Sequence, residues 1–422
     1  MSAAAGPEEP LAIHGGTPSK APSPPMFPGA SLIDEEEEAA VRAVVRSRRL
    51  FRFYGLGESE SQVARLEAAF AAEVGVPHAL GVHSGTAALC TALAAAGIGP
   101  GDEVVVPAYT WVATAAAVAL VGATPVLAEI DDSLTLAPDD LARRIGARTR
   151  AVVPVHMRGG AADMDPLLAV SRAHGLTVIE DAAQADGGAY RGRRLGAWGD
   201  LGCFSFQYSK MLTSGEGGMV TTADRRLFER AVIYHDGAGT GGRTDFEQPP
   251  FLGHNYRMAE LTGAVALVQL GRLRGLLAGL RAAAAAIRAG IADTGLALRR
   301  LPDPAGDCGI AVVFFLPEVP RGESKGAFLR ALRAEGISCG ALWNPGSGDA
   351  HVYTGWQALL QRRTHYGLWS PAAPADALVP DACPRSLEWL DRAIHLDVHP
   401  SFTERDVEGT IRGVRRVARA ML

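Results

Sequence analysis

The chain has 422 residues, of which 48% are hydrophobic and 21% charged; this is globular composition, and the length suits two packed units rather than one core. A net charge of −5 and a pI near 6.1 come with no basic stripe of the kind that grips nucleic acid. Five cysteines without metal-ligand spacing, no basic-then-apolar opening segment and no uninterrupted apolar run of about 18–20 residues argue against a disulfide frame, a zinc site, a secretory leader and a membrane span. The expected setting is therefore the cytoplasm.

Residues 1–30, rich in Pro, Gly, Ala and Ser, read as an arm without regular structure of its own. "IDEEEEAAVRAVVRSRR" reads as a helix, with Asp34 to Glu38 at its start and Arg46, Arg48 and Arg49 at its end, as the helix dipole favours. From residue 60 to about 222, helical runs such as "QVARLEAAFAAEVG" and "TAALCTALAAAGI" alternate with "DEVVVP", "TPVLAEI", "RAVVPVH", "LTVIED", "CFSFQ" and "MVTT". Short β-branched or aromatic runs between helices predict a mostly parallel sheet covered on both faces, with ligands at the carboxyl ends of its strands. A Gly-rich loop over 235–250, a long Ala/Leu/Arg helix over about 258–290, the strand "GIAVVFFLP", the helix "KGAFLRALRAEG" and a final helix follow. The expected division is an arm over 1–30, a large α/β domain over 31–275 and a smaller α+β domain over 276–422.

Chemistry concentrates around "CFSFQYSKMLTSGEGGMV", residues 203–220. Only three of the 41 basic residues are lysines: Lys20, Lys210 and Lys325. Arginine stays protonated, whereas a desolvated lysine can attack a carbonyl to form a Schiff base. Lys210 lies between an apolar, aromatic run and Gly215-Glu216-Gly217-Gly218; Lys20 lies in the Pro-rich arm and Lys325 at a helix start. An imine-forming aldehyde cofactor with a phosphate needs an amine, a phosphate cradle, a carboxylate for its ring nitrogen and a flat partner. Lys210 is the candidate amine. Ser84-Gly85-Thr86 precedes a helical run, where backbone N–H groups and the Thr86 hydroxyl suit an anion, or where Ser84 simply caps the helix. Ser205 adds a hydroxyl from a strand end. Asp181 ends an apolar strand, where a bare charge is costly unless partnered; its alternatives are a pyridinium partner and a helix cap. Gln184 suits a ring oxygen. Trp111, after "DEVVVP", is either a stacking partner or core.

In that order "SGTAAL", "GDEVVVPAYTWVAT", "VIEDAAQADGG", "FSFQYSKMLTSGEGGMV" and "GHNYRMAEL" resemble the DegT/DnrJ/EryC1/StrS sugar and aminocyclitol aminotransferases. The resemblance implies a pyridoxal 5′-phosphate enzyme of fold type I, the aspartate-aminotransferase-like α/β fold, acting as a homodimer with sites at the subunit interface. It implies Lys210 as the Schiff-base lysine, Asp181 at the pyridine nitrogen, Gln184 near the ring hydroxyl, Trp111 on the ring, and Gly85, Thr86 and Ser205 on the phosphate. It implies that Asn255 reaches the phosphate of the neighbouring subunit's cofactor; from the residues alone, Asn255 equally caps the following helix. No metal is implied.

The expected reaction is transamination, from L-glutamine or L-glutamate to a keto-sugar or keto-cyclitol, as in aminosugar or antibiotic biosynthesis. Relatives that deoxygenate keto-sugars replace the lysine with histidine, so Lys210 argues against that reaction. A cofactor-bound regulatory protein would carry an added DNA-binding segment. Tyr54, His235, Tyr256 and His351 are candidate substrate contacts, and Arg243 and Arg257 are candidate partners for a nucleotide.

Overall fold

The alternation between residues 60 and 222 builds one sheet. The computed structural model describes residues 10–53, 61–237, 245–317, 323–364, 367–368, 379 and 381–422. Its strands, in chain order, are β1 (His78–Val82), β2 (Glu103–Pro107), β3 (Thr124–Ala128), β4 (Thr149–Val152), β5 (Thr177–Asp181), the two-residue hairpin β6 (Ala189–Tyr190) and β7 (Arg193–Arg194), β8 (Leu201–Ser205) and β9 (Gly218–Thr222). The large sheet has the order β1-β9-β8-β5-β4-β2-β3. β9 runs antiparallel to both of its neighbours, and the other pairings are parallel. Every residue of β2 and β8 is buried, as expected of parallel strands with helices on both faces.

β1 is the strand that its own sequence hides. "HALGV" has no alternation and carries Gly81, normally a weak strand former. The tertiary structure explains the glycine: a Cβ there would lie 3.1 Å from Val63 Cγ1 and 3.3 Å from Met258 Sδ. β9 closes the sheet from the opposite direction, so its first residue, Gly218, arrives at the same edge where the parallel strands end.

The helices begin as their caps dictate. α1 (Glu35–Ser47) starts in a capping box between Asp34 and Glu37, and α2 (Gln62–Val74) is capped by Ser61. α3 (Gly85–Ala95) is capped by the Ser84 hydroxyl, which accepts the Ala87 N–H at 3.1 Å. α4 (Ala113–Leu120) and α6 (Met164–Ala173) pack on the strands that follow them, α5 (Pro138–Arg144) packs on β3, and α7 (Arg225–His235) follows β9.

α8 (Glu260–Ile291) is a single 32-residue helix, so the boundary expected between residues 275 and 276 falls within an unbroken element. By length and composition it could cross a membrane. Its contacts are those of a core helix instead: Gly263 lies so close to α2 that a Cβ would meet Val63 Cγ2 at 2.7 Å, and Gln269 bonds the buried Glu37 at 2.7 Å. Beyond it, four antiparallel strands in the order Ala297–Leu298, Ala311–Phe315, Ala393–Asp397, Cys339–Ala341 form the smaller sheet. α9 (Glu323–Ala334) and the final helix Glu404–Met421 pack beside it.

The arm lies on this second unit. Glu335, fully buried, accepts the Ala12 N–H at 2.9 Å, the Ser19 N–H at 3.0 Å and the Ser19 hydroxyl at 2.6 Å, and pairs with Arg416 at 3.0 Å.

Candidate active site

The carboxyl ends of β1, β2, β5 and β8 converge on a cavity of about 450 Å³. It is lined by Gly85, Thr86, Trp111, Asp181, Gln184, Ser205, Lys210 and His351, among others. Seven of these are the residues singled out for a phosphorylated aldehyde cofactor, and His351 was a candidate substrate contact. A larger cavity of about 1110 Å³, between residues 10–14 and the final helix, contains none of them.

Lys210 sits in a tight loop. Its N–H donates to Gln207 O at 2.9 Å, and its carbonyl accepts the Gly29 N–H of the arm at 3.1 Å. The glycine-rich segment closes the loop on itself: Ser214 N and Thr213 Oγ1 both donate to Phe206 O, and Gly215 takes a left-handed conformation, φ +83°. Its Nζ has no hydrogen bond among the described residues. Burial pushes its pKa below the ordinary lysine value, against the pull of Asp186 and Asp181.

Asp181 ends β5 and is 4% exposed. Its Oδ2 accepts the Thr114 hydroxyl at 2.7 Å and its Oδ1 the Ala183 N–H at 3.1 Å. Thr114 spends its one proton on Asp181, so Thr110, 2.7 Å away, donates to Thr114. Burial pushes the Asp181 carboxyl up in pKa, against Thr114, Ala183 and Lys210, so a cation placed against it would be strongly favoured.

The anion cradle is tight. A Cβ on Gly85 would lie 2.7 Å from Ser205 Cβ and 3.1 Å from its Oγ; on Gly218, it would lie 2.6 Å from Ser84 O. Only glycine lets α3 begin this close to the end of β8, and that approach brings the Ser205 hydroxyl to the helix N-terminus. Gln184 accepts the Arg158 N–H at 3.1 Å through its oxygen, which leaves its NH₂ as the free donor. Trp111 is 48% exposed, with its ring edge-on to His351 at 4.9 Å. It is therefore no core residue. The His351 ring is held to Asp349 at 3.0 Å, and burial lowers its pKa.

The other sequence candidates lie elsewhere. Asn255 is exposed and does not line the cavity of its own chain. Tyr256 stacks on His254 and meets His83 edge-on, and Arg257 pairs with Asp236 at 2.5 Å. His235 is buried, its Nδ1 2.6 Å from Val232 O. None of these three reaches the cavity. Tyr54 and Arg243 lie outside the described residues.

Three features had no signal in the sequence. The Thr110–Thr114 relay joins residues whose partner, Asp181, is 67 positions away from Thr114. Asp186 is fully buried, and neither of its oxygens has a hydrogen-bond partner among the described residues. Gly29 seats the arm directly under the Lys210 loop, where a Cβ would lie 2.9 Å from Lys210 O.

These features match a family of known enzymes. The sequence profile of the DegT/DnrJ/EryC1/StrS aminotransferase family matches residues 31–415. The chain is 46% identical over 213 residues to the GDP-perosamine synthase of Caulobacter vibrioides, spanning 50% of this chain and only 57% of that relative. It is 36% identical over 360 residues to the UDP-N-acetyl-3-dehydro-alpha-D-glucosamine 3-aminotransferase of Acidithiobacillus ferrooxidans, covering 84% of this chain and 88% of the relative. Among solved structures, the S. venezuelae protein DesV superposes with a TM-score of 0.75 at 32% identity, over 94% of this chain and 99% of DesV. A half-buried lysine whose amine has no hydrogen bond among the described residues, in one cavity with a strand-end carboxylate and a glycine-built cradle, in the α/β architecture of fold-type-I pyridoxal-phosphate enzymes, thus comes with a profile match over most of the sequence: the chain belongs to the DegT/DnrJ/EryC1/StrS aminotransferase family.

Proposed function

We propose that this aminotransferase moves an amino group from L-glutamine or L-glutamate to the ketone of a nucleotide-linked sugar, using pyridoxal 5′-phosphate held in the 450 Å³ cavity. The observation that carries the reading is Lys210: a desolvated amine with no hydrogen bond on Nζ, in one cavity with Asp181 and the Gly85–Ser205 cradle. The names of both curated relatives refer to nucleotide-linked sugars, which favours such an acceptor over a free cyclitol.

The residues fit the cofactor. Ser205, Thr86 and the first N–H groups of α3 would hold its phosphate, because a helix N-terminus combines free donors with a positive dipole end. Asp181 would face the ring nitrogen, the Gln184 amide the ring oxygen, and Trp111 the ring face. When bound, the cofactor supplies an aldehyde that accepts amines and a ring that absorbs negative charge developing on the substrate carbon.

Each side chain then has a task of its own. Lys210, its pKa lowered by burial, gives up its proton more readily than an ordinary lysine and would move a proton at Nζ between substrate and cofactor carbons. Asp181 would keep a proton on the ring nitrogen of the bound cofactor, and the Thr110–Thr114 hydroxyls lock its carboxylate in place. The arm, through the Gly29 N–H on the Lys210 carbonyl, holds the Lys210 loop in place.

The reading includes a cytoplasmic homodimer in which Asn255 serves the neighbouring subunit's site. It is supported by five free cysteines and by the exposure of Asn255 away from its own cavity. Two experiments test it. A panel of nucleotide-linked and free ketones, with glutamine as donor, should show stoichiometric amino transfer; no transfer to any ketone would sink the reading. Mixing Asn255→Ala with Lys210→Ala subunits should restore activity, because in a shared-site heterodimer one site carries both lesions and the other carries none. Absence of rescue after confirmed subunit exchange would refute the shared site.

A further inference from the structure

A second cavity, of about 250 Å³, adjoins the first and shares Gln184, Ser209, Lys210 and His351 with it. Arg158 lines it. This residue stands in the turn Met157–Gly159 with φ +50° and ψ +44°, a left-handed conformation that is costly for a non-glycine residue. Strain of this kind persists where surrounding contacts hold it. Here the Arg158 N–H donates to Gln184, Met157 O accepts from Arg299 at 3.0 Å, and Gly159 O accepts the Cys308 N–H at 3.0 Å. The preceding residue is also fixed: His156 Nδ1 accepts the Ala162 N–H at 3.1 Å, so Nε2 carries the ring proton and donates to Glu180 at 3.0 Å. The backbone is thus pinned in a conformation that turns Arg158 toward the cavity.

The guanidinium is held at one corner only. Nε donates to the Tyr109 hydroxyl at 3.0 Å, and neither terminal nitrogen has a hydrogen bond among the described residues. The nearby carboxylates are occupied elsewhere: Asp397 accepts from Ser338 at 2.6 Å and contacts His395 at 3.1 Å, while Asp349 takes the His351 N–H at 2.8 Å and its ring nitrogen at 3.0 Å. Burial alone would disfavour the charge of Arg158, but Tyr109, Asp397 and Asp349 more than offset it and raise its pKa. A charged, planar fork with two free prongs, opening on the same cavity as an unbonded lysine amine, matches a carboxylate two-pronged in the same plane.

We propose that Arg158 is the carboxylate-binding residue for the amino donor, holding an α-amino acid by its carboxylate so that its amino group lies toward Lys210. This rests on the aminotransferase reading above and adds to it the site of donor recognition. The cavity is small, which suits an amino acid and leaves the larger adjoining cavity for cofactor and acceptor. Lysine in place of Arg158 keeps the charge but loses the fork.

The test uses the full chain and a carboxylate that cannot react. Glutarate binding, measured by calorimetry, is compared with glutaramide for wild type, Arg158→Lys and Arg158→Gln, with thermal unfolding as the check on folding. Wild type should prefer glutarate, and both variants should lose roughly 10–100-fold in glutarate affinity while glutaramide binding is unchanged, as expected for a charge-assisted pair. In steady state, the donor KM should rise and the acceptor KM stay put. Folded Arg158→Gln that binds glutarate like wild type, or a rise confined to the acceptor KM, overturns the assignment. If wild type transfers amino groups and this happens, only Arg158 is misassigned; if wild type transfers none from any amino acid, the aminotransferase reading fails with it.

Discussion

Two lysines of this chain, the buried Lys325 and the half-buried Lys210, have opposite surroundings. Lys325, on α9, is 8% exposed, and its three protons are all taken: by Trp343 O at 2.8 Å, Asp391 O at 2.8 Å and Asp391 Oδ1 at 3.1 Å. Lys210, in the loop after β8, has no partner for Nζ among the described residues. Two carboxylates repeat the contrast one residue apart. Glu180 is fully buried and accepts the N–H groups of Gly196, Trp198 and Gly199 together with the His156 ring. Asp181, pointing to the other face of β5, has only Thr114 and Ala183 on its carboxylate among the described residues. What separates the members of each pair is hydrogen-bond satisfaction rather than burial alone. A buried polar group without its full set of partners carries a standing cost, and reactivity is kept where that cost is borne.

The contrast breaks most visibly at the lysines. Lys210→Ala should abolish amino transfer and leave the thermal midpoint unchanged or higher, since a desolvated amine is removed. Lys325→Ala should do the reverse, losing about 2–4 kcal/mol of stability while turnover per folded molecule is kept, because two carbonyls and a carboxylate lose their donor. Equal stability loss in the two variants would erase the distinction.

At the carboxylates the effect on amino transfer is smaller. Asp181→Asn should slow single-turnover transfer by about 10²–10³-fold with little change in stability. Glu180→Gln should cost roughly 3 kcal/mol or more, as its NH₂ would face backbone donors, and should slow chemistry only in proportion to unfolding. Single-turnover rates and denaturant midpoints on both variants decide it.

Asp186 sharpens the comparison by a pH effect. Burial holds its carboxyl well above the ordinary value of 3.8, although Lys210 pulls it down. The native state therefore keeps a proton that the unfolded chain has given up, so this group lowers stability as pH rises from about 4 through its folded-state pKa. Asp186→Asn cannot titrate. Its stability relative to wild type should grow as pH is raised from 5 to 8; a constant difference across that range would mean that Asp186 is already satisfied.

How legible was the site? Lysine rarity drew attention to Lys210, yet all three lysines prove to be well packed. Lys20 lies over the Phe402 ring at 4.7 Å, bonded to Ser23 at 2.7 Å and near Asp406 at 3.7 Å. The feature that places Lys210 at the cavity is its flank, an apolar strand followed by glycines, since that pattern dictates a strand end and a tight loop. Asp181, Ser205, Trp111 and Gly85 were readable for the same reason: each ends a strand or opens the element after it. Arg158, Asp186, Thr114 and Gly29 were not, because their meaning lies in partners far along the chain.

The sequence by itself determined the alternation of strands and helices, the ends at which polar residues gather, and hence a cofactor-sized site on an α/β sheet. These follow from local rules of hydrophobic period, capping and turn chemistry that act over a few residues. Only the tertiary structure decided that β9 returns antiparallel to bring Gly218 against Ser84, that α8 runs unbroken past residue 275, and that the arm seats beneath Lys210. It also decided which buried groups are left short of partners. Hydrogen-bond satisfaction depends on which distant atoms arrive at a point in space, and no local pattern encodes that.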